Sequence, residues 1–187
     1  MQNTLYAFQH ICKPAKWTAY LNLLNGQEIQ TVDKATPPTP RDNLSLVDFM
    51  DSHILAIGGH EYKNHEHFLD SVDIYNIEMD TWERAPPLSQ ARDEHSSCSL
   101  GDYAYVIGGC NSNCNSIIAF ERLNVARLTR GEQSVAWEPL NIATNQGMSP
   151  RFWVSMTALD ANQLLIFGGA SRNDGYIVDV REPITLQ

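Results

Sequence analysis

Three stretches hold the side chains that chemistry needs. His60-Glu61-Tyr62-Lys63-Asn64-His65-Glu66-His67 packs three imidazoles into one short run, and Cys110-Asn111-Ser112-Asn113-Cys114 sets two thiols in Cys-x3-Cys spacing. Imidazole nitrogen and thiolate sulfur are the donors that tetrahedral zinc takes, and that spacing is permissible for it. No second Cys pair completes such a set, so a polar recognition loop outranks a metal site, and no metal or cofactor is expected. Asp93-Glu94-His95 offers acid–base chemistry, although one charged triplet beside an arginine is more often a solvated edge. The double glycines are not phosphate cradles: each precedes a loop, and neither G-x-G-x-x-G nor G-K-[ST] occurs.

Both loops hang from the same kind of element. His53-Ile-Leu-Ala-Ile-Gly58-Gly59, Tyr103-Ala-Tyr-Val-Ile-Gly108-Gly109 and Gln163-Leu-Leu-Ile-Phe-Gly168-Gly169 are apolar runs that end in two glycines. Arg41, Arg92 and Arg151 precede the first glycine of each pair by 17, 16 and 17 residues. A repeat of that kind governs the fold before any local motif does. Turn formers (Met50-Asp-Ser-His53, Gly101-Asp102, Asp160-Ala-Asn162) split each interval into an antiparallel hairpin, with the arginine and the glycines at one end. Tyr75 and Trp82 flank the turn Asn76–Asp80 and mark a second hairpin. Four antiparallel strands per unit, stacked radially, make a propeller blade.

An apolar run into Gly-Gly, then an aromatic, then Trp, with openings such as Thr39-Pro40-Arg41 and Ser149-Pro150-Arg151, resembles the kelch family. The resemblance covers most of the chain from Arg41 onward. In the second unit Phe120 stands where Tyr is expected and Trp137 comes late; in the third, Tyr176 is followed by no Trp. The resemblance implies an all-β, kelch-type β-propeller that is partial, with about three to four blades and an incomplete ring. Residues 2–20 read as the outer half of a blade, with Thr4–Phe8 matching Val72–Tyr75. Residues 25–40 read as a connection, 41–82 as a full blade, and 92–137 as a full blade with an insertion at 123–134. Residues 151–187 read as an incomplete blade of three strands. Missing blades leave open edges that invite self-association.

The resemblance also implies protein partners. A rim is expected from His60, Glu61, Tyr62, Lys63, His65 and His67 together with Cys110, Asn111, Asn113 and Asn115, since equivalent loops of neighbouring blades share a face. The insertion should project from the opposite face; it carries Arg127 and Arg130 and reads either as a binding loop or as an idle hairpin extension. The recurring arginines could form a ring that recognises carboxylates. The alternative is that each ties its blade to the next through backbone carbonyls or acids such as Asp42 and Asp93, and repetition in every unit favours that structural role. Two further readings stay open. Some kelch-like propellers are copper oxidases resembling galactose oxidase, with a Cys–Tyr crosslink and His ligands; a metal-dependent or oxidase-like enzyme here would use the His60–His67 and Cys110–Cys114 loops, since Tyr62, Tyr103, Tyr105 and Cys98 sit in or beside ordinary strand positions. Alternatively, the blades complete another chain's propeller.

Composition narrows the function classes. Net charge is −9 over 187 residues, which argues against a nucleic-acid surface. The first residues lack a basic and apolar leader, no run is long enough to span a membrane, and four cysteines do not make a disulfide framework. The expectation is a non-enzymatic, cytoplasmic scaffold that binds protein partners and neither nucleic acid nor membrane.

Overall fold

Ala104-Tyr-Val-Ile107 is apolar at every position, a pattern that suits a strand covered on both faces. The structure, a computed structural model, shows why. It describes residues 4–9, 16–21, 30–61, 64–140, 148–170, 174–181 and 185–186. In chain order these form β1 (Thr4–Gln9), β2 (Lys16–Leu21), β3 (Gln30–Lys34), β4 (Arg41–Asp42), β5 (Ser45–Phe49), β6 (His53–Ile57), β7 (His60–Glu61), β8 (Asn64–Phe68), β9 (Val72–Asn76) and β10 (Thr81–Ala85). Then come β11 (Ser96–Leu100), β12 (Tyr103–Ile107), β13 (Phe120–Asn124), α1 (Val125–Thr129), β14 (Glu138–Pro139), β15 (Val154–Ala158), β16 (Gln163–Gly168), β17 (Gly175–Asp179) and β18 (Thr185–Leu186).

Three antiparallel sheets of four strands follow one plan: β5-β6-β9-β10, β11-β12-β13-β14 and β15-β16-β17-β18. Equivalent pairings repeat, with Ile57 opposite Val72 in the first sheet and Ile107 opposite Phe120 in the second. The innermost strands lie side by side, β5 next to β11 and β11 next to β15. Among the described residues the sheets form an open array, the arrangement of a partial propeller.

Strand periodicity explains the packing. Alternate residues of β12 go to opposite faces. Ala104 and Val106 meet Leu55, Ile57, Val72 and Ile74 of the first sheet, while Tyr105 and Ile107 meet Val154, Leu164 and Ile166 of the third. Each buried Val, Leu or Ile contributes roughly 1.5–3 kcal/mol relative to exposure, so the sheets are held together chiefly by these two apolar layers.

Several elements differ from the sequence expectation. Gln30–Lys34, expected within a connection, is a strand paired with β2, and β1, β2 and β3 make a three-stranded sheet. Trp82 Nε1 donates to the Ala35 carbonyl just after β3 (2.8 Å), as Trp137 Nε1 donates to Pro86 just after β10 (2.9 Å). Hence β3 holds the outermost position, and β2, not β1, is the counterpart of β9. The Phe8–Trp17 spacing misled because those two residues are register partners across the inner hairpin. In the third unit β18 supplies a fourth, two-residue strand where three were expected. The stretch after Gly59, expected as a loop, includes a β-ribbon: β4 pairs with β7, and β7 with β8.

The 123–134 segment leaves β13 where Asn124 faces Tyr103, the end of the sheet away from Gly108. Asn124 caps α1 by accepting from Arg127 N, and the cap side chain positions Val125 and Ala126 to be buried in the layer between the first two sheets. Arg127 and Arg130 both pair with Glu132 within the segment.

Candidate functional site

The three arginines are buried, at 3 %, 0 % and 3 % exposure. Arg41 Nη1 donates to the carbonyls of Gly58 (3.1 Å) and Ser71 (2.8 Å), and Nη2 to Asp73. Arg92 repeats this with Gly108 (3.2 Å), Ala119 (3.0 Å) and Glu121. Arg151 bonds the Gly168 carbonyl (3.0 Å) and Asp174 (2.9 Å), and lies over the Tyr176 ring, which occupies the register of the carboxylates in the other two units. Their carboxylate partners are therefore Asp73, Glu121 and Asp174, each in the arginine's own unit, and not Asp42 or Asp93 as expected. Burial holds the Asp73 carboxyl above its ordinary range in spite of Arg41, and holds the guanidinium groups of Arg41 and Arg92 below theirs. These guanidinium groups are engaged inside their sheets and do not line a surface.

The joint between units uses backbone instead. Gly59 N–H donates to the Arg92 carbonyl and Gly109 N–H to the Arg151 carbonyl, both at 2.9 Å. A side chain on Gly58 would stand 2.9 Å from the Arg92 oxygen and 2.7 Å from the His95 ring, and one on Gly108 would stand 2.6 Å from the Arg151 oxygen. Both glycines also have positive φ, so the position admits only glycine without strain.

The same end of the sheets carries the rim. Asp93 sits at its centre: its carboxylate meets His60 Nδ1 at 2.9 Å, Asn43 Nδ2 donates to it at 3.4 Å, and its backbone exchanges hydrogen bonds with Cys110. The structure thus brings His60 and Cys110 together through Asp93. The Cys110 thiol approaches Glu94 Oε2 at 3.8 Å and is pushed up to about 12, by burial first and then by the Glu94 and Asp93 charges. Beyond it, Asn111 Oδ1 accepts from the backbone of Asn113 (3.0 Å) and Asn115 (3.1 Å), so this exposed loop is ordered by its own side chain. Glu61 pairs with His67 at 3.1 Å on the exposed ribbon. Tyr62 and Lys63, and the side chain of His65, lie outside the described residues. Among the described residues, no three His, Cys, Asp or Glu side chains are grouped as a metal would require.

Sequence reading missed a third rim component. The residue two positions after each arginine has positive φ: Asn43 at 50°, Glu94 at 55° and Trp153 at 56°. Such a conformation is an outlier for a bulky residue. Trp153 is 66 % exposed, its N–H donates to the Glu94 carbonyl of the neighbouring opening (3.0 Å), and the Phe152 ring stands edge-on to it at 5.0 Å. Their side chains share no type, so only the backbone geometry reveals the equivalence.

The remaining candidates pack. The Tyr75 and Trp82 rings meet at a tilt with centroids 5.0 Å apart, and Tyr75 Oη donates to Asp80; Phe120 lies 5.9 Å from Tyr105. Cys98 and Tyr105 are register partners in the layer between the second and third sheets, and burial pushes both side chains up to about 12, so they stay protonated at ordinary pH. His95, three residues after Arg92, is buried against Gly58 with no hydrogen-bond partner on either ring nitrogen; burial first, then the Arg92 charge, lower it to about 3. Its counterpart in the third unit is Val154. The acid–base triplet is thus divided among a neutral core histidine, the rim centre and a rim wall.

An arginine buried behind a diglycine in each four-stranded sheet, with the sheets stacked face to face, defines a repeat β-propeller array. The Kelch motif matches residues 46–89 and 91–125. Among known proteins, the chain is 40 % identical over 68 residues to Kelch-like protein 36 of Bos taurus (36 % of this chain, 11 % of that one). It is 40 % identical over 72 residues to Kelch-like protein 40a of Danio rerio (38 % and 12 %). With Kelch domain-containing protein 1 of Mus musculus it shares 24 % identity over 196 residues, 86 % of this chain and 46 % of the relative. The chain carries two Kelch motifs, and its matches span from about a ninth to under half of these relatives' lengths.

Proposed function

We propose that the chain is a protein-interaction module whose partner seats on the rim at the diglycine end of the sheets. The contact surface is Trp153, Glu94 and Asn43 with the exposed Glu61–His67 pair and the Asn111–Asn115 loop, and His60 is buried beneath it. The observation that carries this reading is Trp153: a large aromatic two-thirds exposed, on a left-handed backbone, fixed by a hydrogen bond to the neighbouring opening. Held strain and exposed tryptophan are both features of binding surfaces, since a rigid aromatic loses little entropy on contact. The self-bonded asparagine loop adds polar groups that are ordered before a partner arrives, which lowers the cost of association.

The test is affinity capture with Trp153→Ala beside Met79→Ala. Met79 is also exposed, at 69 %, but lies in the turn between β9 and β10 at the opposite end of its sheet. Loss of captured protein with the first substitution only, both variants melting like the parent, is the expected result. Equal capture by all three chains would overturn the reading.

A further inference from the structure

We infer that the occupant of the rim is a protein segment that presents an arginine, its guanidinium laid on the exposed Trp153 indole and paired with the Glu94 carboxylate. This deepens the proposed function and rests on it, since the rim must first be a binding surface. What it adds is the chemistry of the partner.

Backbone geometry makes Trp153 and Glu94 neighbours. Trp153 N–H donates to the Glu94 carbonyl at 3.0 Å, and both residues hold left-handed backbone. The Phe152 ring stands edge-on to the indole, and the Phe152 carbonyl accepts from Ala170 N–H at 2.9 Å, so the aromatic pair is also tied to the segment after the third diglycine. An exposed aromatic face attracts a cation through its quadrupole, and a carboxylate close by adds a full charge.

The carboxylates near this point differ in what is already bound to them. Asp93 is engaged on both oxygens: Oδ1 accepts from Glu94 N–H at 2.8 Å, and Oδ2 meets His60 and Asn43. Asp73, Glu121 and Asp174 hold the buried arginines. Glu94 is only half-buried. Its Oε2 faces the Cys110 thiol at 3.8 Å, and its Oε1 has no hydrogen-bond partner among the described residues.

The surrounding charge has the same sign. Glu66 and Asp70 are exposed at this end, whereas Arg41, Arg92 and Arg151 are buried in their sheets. A positively charged segment is therefore steered toward the rim and an acidic one repelled. Arginine fits better than lysine because a planar guanidinium can lie on an indole while its edge bonds a carboxylate, which a compact ammonium cannot do.

The experiment titrates the chain with a capped five-residue peptide carrying a central arginine, following the Trp153 indole N–H by NMR at low salt. The expected result is a saturable shift of that signal. Citrulline in place of the arginine, which keeps the shape and removes the charge, should weaken binding about 10-fold. Glu94→Gln, melting like the parent, should weaken the arginine peptide about 5-fold. If that variant does not fold, the citrulline comparison on the parent decides alone. Equal binding of the arginine and citrulline peptides would overturn the inference, as would undiminished binding to Glu94→Gln or tighter binding of a glutamate peptide. A lysine peptide that binds as tightly would overturn the assignment to arginine. Any of these results beside a loss of captured protein in Trp153→Ala refutes the arginine and leaves the rim standing; unchanged capture in Trp153→Ala refutes the rim itself.

Discussion

Replacing His95 by leucine should both stabilise the protein and flatten its response to acid. The ring lies in the joint between the first two sheets, against Gly58, in a register that Val154 fills with hydrocarbon one joint later. Neither nitrogen has a partner. An unsatisfied buried polar group costs about 1–3 kcal/mol, so His95→Leu should recover something in that range at pH 8, where the imidazole is neutral in both states. The acid response follows from proton linkage. Burial and Arg92 depress the folded value from 6.5 to about 3, so the unfolded chain takes up the proton first. The native state therefore keeps its full stability above pH 6.5 and loses it progressively as pH falls toward 3. Between pH 8 and pH 5 this amounts to about 2 kcal/mol. Urea melts of parent and variant at pH 8, 6.5 and 5 would measure it, because the other titrating groups are common to both chains and cancel in the difference. The gap between the curves should widen by about 2 kcal/mol from pH 8 to pH 5. Parallel curves would refute the assignment of His95 as a neutral core residue.

Other perturbations probe the joints and the arginines. Arg92→Leu strands Glu121, itself fully buried, and should cost about 3–5 kcal/mol in a denaturant melt; Arg92→Lys should recover only part, because a single ammonium cannot span two carbonyls and a carboxylate. Gly108→Ala meets the Arg151 oxygen at 2.6 Å as well as an unfavourable φ, whereas Gly168→Ala meets only the φ, so the first should destabilise clearly more than the second, whose cost is about 1 kcal/mol. Asp174 is held down to about 2 by its hydrogen bonds to Arg151 and Tyr176. Its contribution is present above the unfolded value of 3.8 and lost as pH falls through 2, so Asp174→Asn should lower the melting temperature at pH 5, by an amount that shrinks steadily as the pH is taken down toward and below 2.

The parts of this fold legible in the sequence are those that require one particular residue. A joint too tight for a Cβ demands glycine, and a buried fork that bonds two carbonyls and a carboxylate demands arginine, so Gly58, Gly108, Arg41, Arg92 and Arg151 announce the repeat. Positions defined by backbone alone leave no such mark. Asn43, Glu94 and Trp153 share a left-handed conformation and no side-chain type, which is why this part of the rim was invisible. The arginines' partners were misjudged for a related reason. Asp42 and Asp93 are adjacent in sequence, but the guanidinium groups point into their own sheets and reach Asp73 and Glu121 across the second hairpin. In the N-terminal sheet, Gln30-Thr-Val-Asp-Lys34 has too little apolar alternation to read as a strand, and the aromatic pair drew attention one hairpin too early.

Photo-crosslinking gives the most direct test that this chain binds protein through its rim. Benzoylphenylalanine placed at Trp153 should form a discrete adduct with a second protein in extracts of the source organism, and the same probe at Met79 should form none. Adducts from position 79 with none from position 153 would contradict the account and move the binding surface to the opposite end of the sheets.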